Sequence, residues 1–333
     1  MRILIVYNVA TRLRKGVESD LTCEHEITVI VPIITKALQR SGHRVDTLLA
    51  TLDLWEELRR RRSDVDLILN CAEAFGGGNS DEPTVPAILE AMEMPFTGAS
   101  LRNMVLTLDK EVSKLLVREY GVPVPAYQLF RSAEDALSSE ISFPAIVKPV
   151  REEASIGISN NSIVRDAKSL RCQVQYVLDV YRQPALVEAF IAGREISVGV
   201  VGNEKRLTVL PPLEFLFTED SPGIRSYDYK WGGRKEEMVQ AELPVNVHAA
   251  LVEHTRAAFV ATECRDYARM DFRLDEHWHP WLIEVNCNPG IGPNSHGLNN
   301  TLTRMASFAG YSYESFVELI VSTAAAREAR VVR

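Results

Sequence analysis

Two alternating segments near the end of the chain constrain it most. Arg269-Met270-Asp271-Phe272-Arg273 and Leu282-Ile283-Glu284-Val285-Asn286 each alternate in polarity, the pattern of a half-buried strand. Asp275 to Pro280 turns the chain between them. A turn centred between His277 and Trp278 sets Asp271 opposite Glu284 and Arg269 opposite Asn286, so that all four share one face of a hairpin. Two carboxylates and an amide oxygen converging there repel one another without a cation. Hard oxygen donors suit magnesium, which commonly bridges nucleotide phosphates. The competing reading is a solvated hairpin face whose charges are screened by water.

The rest of the chain must supply more than one core. It has 333 residues, and single cores stop growing at roughly 250–300. Hydrophobic residues at 46% and charged residues at 25% fit a soluble globular protein. The net charge of −8 argues against a nucleic-acid or anionic-membrane partner. Cys23, Cys71, Cys172, Cys264 and Cys287 are scattered and odd in number, which reads as reduced thiols. The opening MRILIVYN reads as a strand rather than a signal peptide, and no apolar run reaches the ~20 residues needed to span a bilayer. A cytoplasmic protein is expected, with no membrane partner.

Periodicity divides the chain. Ile3 to Val6 is a short apolar run, and Ile27, Ile30, Val31, Ile34 and Leu38 recur at helical spacing before Ser41-Gly42. Val45 to Leu49 and Asp66 to Asn70 read as further strands, separated by a charged helix from Trp55 to Arg62. This β-α-β-α-β order predicts a parallel, helix-covered sheet. A helix from Asp109 to Glu119 opens a smaller α+β part, with strands at Tyr127–Phe130, Ala145–Lys148 and Leu186–Ile191 and a helix around Ala167–Leu178. Beyond Glu195, strands are expected at Ile196–Val201, Leu207–Phe217, Ala268–Leu274 and Trp281–Val285, with helices at Val247–Val260 and Tyr313–Ala326. Thr218 to Glu237 is polar and long enough for a mobile active-site loop.

Other residues weigh less by themselves. No P-loop and no G-x-G-x-x-G after the first strand occurs, which removes most support for Walker and dinucleotide sites. Lys148 closes an apolar strand, either snorkelling or placed to meet an anion. Glu188 and Glu195 flank Phe190-Ile191, which either frame a flat apolar ring or lie at a solvated strand edge. Cys287 has no paired histidine in view, and His277-Trp278-His279 lacks further zinc ligands nearby.

Taken in order, PFTGASLRNMVLTLDKEVSK, FPAIVKPVREEASIG, ALVEAFIAGREISVGVVGN, YARMDFRLDE and PWLIEVNCNPGIGPNS resemble the ATP-grasp superfamily, and within it the D-alanine–D-alanine ligases. The resemblance runs from about Thr97 to the end and is looser before it. It implies a mixed α/β and α+β fold of three subdomains: residues 1–105 as a parallel α/β pre-ATP-grasp domain, 106–191 as a central subdomain and 192–333 as a C-terminal subdomain with the metal site. It implies ATP with two magnesium ions, manganese as a substitute, and often a homodimer.

Position by position, the resemblance gives Lys110 and Lys148 to phosphate oxygens, and Glu188 and Glu195 to the adenine amino group and ribose hydroxyls. Phe190 and Ile191 would line the adenine slot, and Asp271, Glu284 and Asn286 would hold the metals. Arg269 and the Gly290 N–H would stabilise an oxyanion, with Ser155 in the phosphate loop. Glu26 would hold the amino group of the first substrate and Ser295 the carboxylate of the second. The implied reaction joins two small amino-acid or carboxylate substrates through an acyl-phosphate. The alternative is a nucleotide-binding module that no longer ligates. The departures fall on the substrate pockets. Ala154 stands where the family has a serine, Gly232-Gly233 replace a lysine and a tyrosine, Cys71-Ala72-Glu73-Ala74-Phe75 lacks a family histidine, and Ser295-His296-Gly297 departs from a Ser-Leu ending.

Overall fold

The computed structural model describes residues 1–21, 26–204, 206–217, 223–227, 237–294 and 301–331. Its first sheet is parallel, with β1 (Arg2–Tyr7) between β2 (Arg44–Leu49) and β3 (Leu67–Cys71). The crossovers are α1 (Ile27–Arg40) and α2 (Leu54–Arg61). The continuous apolar run in β1 has a direct cause. Ile3 and Ile5 pack with Ile30, Val31 and Ile34 of α1 on one face, while Leu4 and Val6 pack with Leu54 and Leu58 of α2 and Leu89 of α3 (Thr84–Ala91) on the other. A sheet covered on both faces needs no polar alternation.

Two short helices, α4 (Leu101–Leu108) and α5 (Lys110–Glu119), lead away from this sheet. Asp109 caps α5 rather than belonging to it: its Oδ1 accepts from the Glu111 and Val112 N–H groups at 3.1 and 3.2 Å. The second sheet is antiparallel and has the order β4 (Tyr127–Phe130), β7 (Ala185–Ala189), β5 (Ala145–Pro149), β6 (Ile163–Val164). One face packs on α6 (Ala167–Tyr181) through Phe130, Val147, Val187, Leu170, Val174 and Val177.

The third sheet is also antiparallel. Its order is β11 (Glu237–Gln240), β10 (Leu213–Leu216), β8 (Arg194–Asn203), β12 (Asp266–Leu274), β13 (Pro280–Asn286), with β9 (Arg206–Val209) paired to β8. The strand expected over Leu207–Phe217 is broken in two because Pro211-Pro212 offers no N–H to a ladder. At the entry to β8, Gly193 is obligatory: φ is +134°, and a Cβ there would lie 2.0 Å from the Leu274 carbonyl oxygen. Ile196, Val198 and Val200 of β8 and Ala268, Met270 and Phe272 of β12 bury one face against α7 (Val245–Ala261). The helices α8 (Thr301–Phe308) and α9 (Tyr313–Val331) share one core with the first and third sheets, through Leu302, Met305, Phe316, Val317 and Ile320. The helix α9 runs past the expected end at Ala326 because Arg327 pairs with the fully buried Asp266 at 2.8 Å. No described helix is long and apolar enough to cross a membrane.

Candidate active site

The polar faces of the second and third sheets meet across a cavity. From β12 come Arg269, Asp271 and Arg273, whose alternation with the buried Met270 and Phe272 turns all three the same way. From β13 come Glu284 and Asn286. The register is the expected one at this point, with Arg269 opposite Asn286 and Asp271 opposite Glu284. It is reached differently, however. Near the turn, Phe272 faces Leu282 and Arg273 faces Trp281, so the hairpin centres on His277, and a register shift between Asp271 and Phe272 makes up the difference. Ile283 is the extra residue, and such a bulge puts two successive side chains on one face. Ile283 and Glu284 accordingly both line the cavity.

The second sheet contributes Lys148 and Glu188, and the N-terminal end of α5 contributes Lys110. Glu188 is 1% exposed and faces two ammonium groups, Lys148 at one oxygen and Lys114 at 2.8 Å from the other. Lys114 also donates to the Ile283 carbonyl at 2.8 Å, tying the second sheet to the bulge. Burial alone would raise the Glu188 carboxyl, yet the two lysines hold it below its usual range. One carboxylate cannot compensate two cations. Burial first, then the Lys148 charge, bring Lys114 down to about 8 against the opposing pull of Glu188. Lys110 is raised: burial opposes its charge, but Glu284 at 2.7 Å outweighs it.

The remaining charges are also paired. Arg269 holds Asp271 through Nε and Nη2 at 2.9 Å each, and Ser197 donates to the same carboxylate. Burial opposes ionisation of Asp271, yet Arg269 and Ser197 keep its carboxyl lowered. Arg273 donates to Glu195 at 3.1 Å and to the Gly193 and Gly223 carbonyls, with its guanidinium 5.1 Å from the Phe190 ring centroid. Phe190, Ile191, Glu195 and Ser155 line the same cavity. Lys114, Arg273 and Arg225 were not singled out from sequence. Lys114 lies one helical turn past Lys110 on a face shared with Ser113 and Val117, and that spacing was the available signal.

A second cavity lies against the first sheet, between α1 and the end of β13. It is lined by Glu26, Ile27, Ile30, Asn8, Asn70, Glu73, Asn288 and Gly290 among others. The two cavities share Ala154, whose φ of +54° places it in the left-handed region beside Ser155 at +63°. Ser295, His296 and Gly297, and the loop residues Gly232 and Gly233, lie outside the described residues. Cys287 is not a nucleophile. It is 1% exposed, its thiol is pushed well up by burial, and it sits 3.0 Å from the Thr107 hydroxyl. The described Cys71, Cys172, Cys264 and Cys287 are all free thiols.

Among the described residues no group of three or more His, Cys, Asp or Glu could hold a metal. The donor set on the hairpin is two carboxylates and an amide, Asp271, Glu284 and Asn286. It fits a hard cation whose other ligands are phosphate oxygens and water, and not a zinc-type cage.

Two antiparallel sheets, one carrying Lys148 and Glu188 and the other the acidic hairpin, facing each other across one cavity, are the arrangement of the ATP-grasp class. Residues 116–322 match the family model "D-ala D-ala ligase C-terminus", and the chain belongs to that family. A Sinorhizobium fredii protein, "Uncharacterized protein y4sG", is 32% identical over 303 residues, covering 89% of this chain and 87% of its own. The "D-alanine--D-alanine ligase" of Syntrophotalea carbinolica is 29% identical over 312 residues, covering 92% and 94%. The fold is similar to the crystal structure of the D-alanine--D-alanine ligase from Bacillus anthracis complexed with ATP, with a TM-score of 0.74 at 21% identity over 97% of each chain.

Proposed function

We propose that this chain activates the carboxylate of one small amino acid with ATP and joins it to the amine of a second, forming ADP, phosphate and an amide bond. It is an ATP-dependent ligase of the D-alanine–D-alanine ligase kind. The observation that carries the substrate assignment is the meeting of two cavities at Ala154, one lined by lysines and the acidic hairpin, the other by Glu26, Glu73 and Gly290. A carboxylate held in the second cavity reaches the phosphate end of a nucleotide held in the first.

Lys110 and Lys148 are assigned to the phosphates, Glu188 and Glu195 to the adenine amino group and ribose, and Phe190 and Ile191 to the base. Asp271, Glu284 and Asn286 are assigned to two magnesium ions, which neutralise phosphate charge when bound. The donor carboxylate attacks the γ-phosphorus and ADP leaves, a step helped mainly by positioning and charge neutralisation. The incoming amine then attacks the acyl carbon and phosphate departs. Arg269 and the Gly290 N–H are assigned to the oxyanion of that second step, and mere nucleotide binding requires neither. Loss of one such donor typically costs ~10²–10³ in rate. Glu26 is assigned to the first amino group and Ser295 to the second carboxylate. The proposal places the protein in the cytoplasm as a homodimer, with one sheet in each of three subdomains bounded near residues 105 and 191.

The test is ADP release coupled to mass spectrometry of the product over a panel of D- and L-amino acids, with magnesium or manganese. Amide product in equal amount to ADP supports the ligase. ATP binding without amino-acid-dependent ADP release in any pairing would leave only the nucleotide-binding module.

A further inference from the structure

The third sheet also borders a cavity that the proposed reaction does not use. It lies between the turn joining β8 to β9, the start of β12 and one side of α9. None of its lining residues lines the cavities proposed for the nucleotide and the amino acid. Three arginines line it, Arg206, Arg265 and Arg327, together with one carboxylate, Glu204.

The three arginines are not equally satisfied. Arg327 is committed to Asp266 at 2.8 Å and to the Phe96 carbonyl at 2.6 Å. Asp266 is spent in turn, since it also accepts from the Gly98 N–H and from Asn203 Nδ2 at 2.9 Å each. Arg265 has no carboxylate of its own among the described residues. Its Nε donates to the Gly98 carbonyl at 2.6 Å, and its guanidinium lies 4.4 Å from the Phe96 ring centroid. Its Nη2 is buried with no hydrogen-bond partner, and an unmet buried donor costs free energy that an acceptor would recover. Burial first and the Arg327 charge second bring Arg265 down to about 10, although Asp266, Glu90 and Glu328 pull the other way. The surrounding carboxylates therefore do not offset what this cation has lost. Arg206 is exposed, and among the described residues no carboxylate pairs with it. Counting Glu204 against Arg206 still leaves Arg265 without a compensating charge.

We propose that this cavity is an anion site that takes a phosphate group between Arg265 and Arg206. Thr208 lines the same space and its hydroxyl is a further donor. A planar guanidinium matches the oxygens of phosphate or carboxylate in a paired contact. Two arginines favour phosphate, with roughly two negative charges near neutrality, over a singly charged carboxylate. Arg265 and Arg327 both grip residues 96–98 where these leave the first sheet. A bound anion fastens that segment to the third sheet and α9, so it acts on stability and stays out of the reaction. Inorganic phosphate and the phosphoryl group of a larger metabolite share this chemistry.

The experiment titrates inorganic phosphate, glycerol phosphate and acetate by calorimetry into the full chain, already saturated with magnesium and a non-hydrolysable ATP analogue so that the lysines of the other cavity are occupied. The wild type should bind phosphate or glycerol phosphate more tightly than acetate, and the tighter of the two phosphates names the source. A charge-assisted contact is worth roughly tenfold or more in affinity. Arg265→Gln and Arg206→Gln should each weaken binding by at least about that factor, while Lys148→Ala, tested in the same way, should not. Arg206 is exposed, so Arg206→Gln keeps the test valid if Arg265→Gln fails to fold. Thermal unfolding gives a second readout: phosphate should raise the Tm of the wild type above that in chloride at matched ionic strength, and the increment should vanish in Arg206→Gln. No phosphate binding once the nucleotide cavity is filled, binding that survives both arginine substitutions, or acetate binding as tightly as phosphate would each overturn the proposal. The ligase reading does not depend on any of these outcomes.

Discussion

Lys114 Nζ lies 2.8 Å from Glu188 Oε1, with both side chains almost wholly buried, and the same nitrogen donates to the Ile283 carbonyl at 2.8 Å. One lysine thus joins the helix that opens the second part of the chain to both sheets that line the cavity proposed for the nucleotide. Lys114→Met leaves Glu188 with Lys148 alone and removes the tie to the bulge. Glu188 keeps Lys148 as its counter-ion, so no buried charge is left unpaired and the expected cost is that of the lost hydrogen bond to Ile283, about 1 kcal/mol. Urea unfolding should show this loss, and calorimetry should show weakened ATP binding. Unchanged values for both would reduce Lys114 to a passenger.

The same lysine sets a pH dependence. Its ammonium falls from 10.5 when unfolded to about 8 in the fold, through burial and Lys148. Between those values the unfolded state binds more protons, so this group's contribution to stability rises as pH rises through that window, and is flat below about 8. The stability of wild type relative to Lys114→Met should therefore increase between pH 8 and pH 10. A difference that is constant or falls over that range contradicts the assignment.

Asp271→Asn removes one charge from the acidic hairpin and leaves Arg269 without its carboxylate. Turnover is expected to fall by ~10² or more, with the magnesium needed for half-maximal activity shifted upward. Circular dichroism should remain that of the wild type, because the hairpin register does not depend on the Asp271 charge. Wild-type ADP release at limiting magnesium would end the metal assignment.

The hairpin was legible because alternation fixes which face a strand residue takes, and that alone placed Arg269, Asp271, Glu284 and Asn286 together. The bulge at Ile283 was not, since a single inserted residue leaves no periodic trace. Arg273 follows from the same alternation as Asp271, although nothing in its spacing marks it as a site residue. Lys114 was hidden for another reason: a lysine on a charged helix reads as solvated until the neighbouring strand brings Glu188 to it. The parallel sheet is legible in its β-α-β order, and the break at Pro211-Pro212 follows from proline chemistry rather than from the apolar pattern that runs across it. The cavities that meet at Ala154 are lined from segments far apart in the chain, which no local pattern brings together.

Arg327 anchors α9 to Asp266, which also accepts from the Gly98 N–H and Asn203 Nδ2 at 2.9 Å each. Arg327→Ala leaves a fully buried carboxylate short of its cation and should destabilise the fold by about 3 kcal/mol. Neither residue lines the cavities proposed for the nucleotide and the amino acid, so KM values of the folded fraction should stay the same. A stability change under about 0.5 kcal/mol would show that the other two donors suffice.

The central claim is that a donor carboxylate attacks the γ-phosphate of ATP. It is tested most directly with a donor amino acid whose carboxylate oxygens carry heavy oxygen, by following the label during turnover. The expected result is one labelled oxygen in the released phosphate, with hydroxylamine trapping the donor as its hydroxamate in equal amount to ADP. Unlabelled phosphate, formed at the same rate with or without the donor, would contradict it.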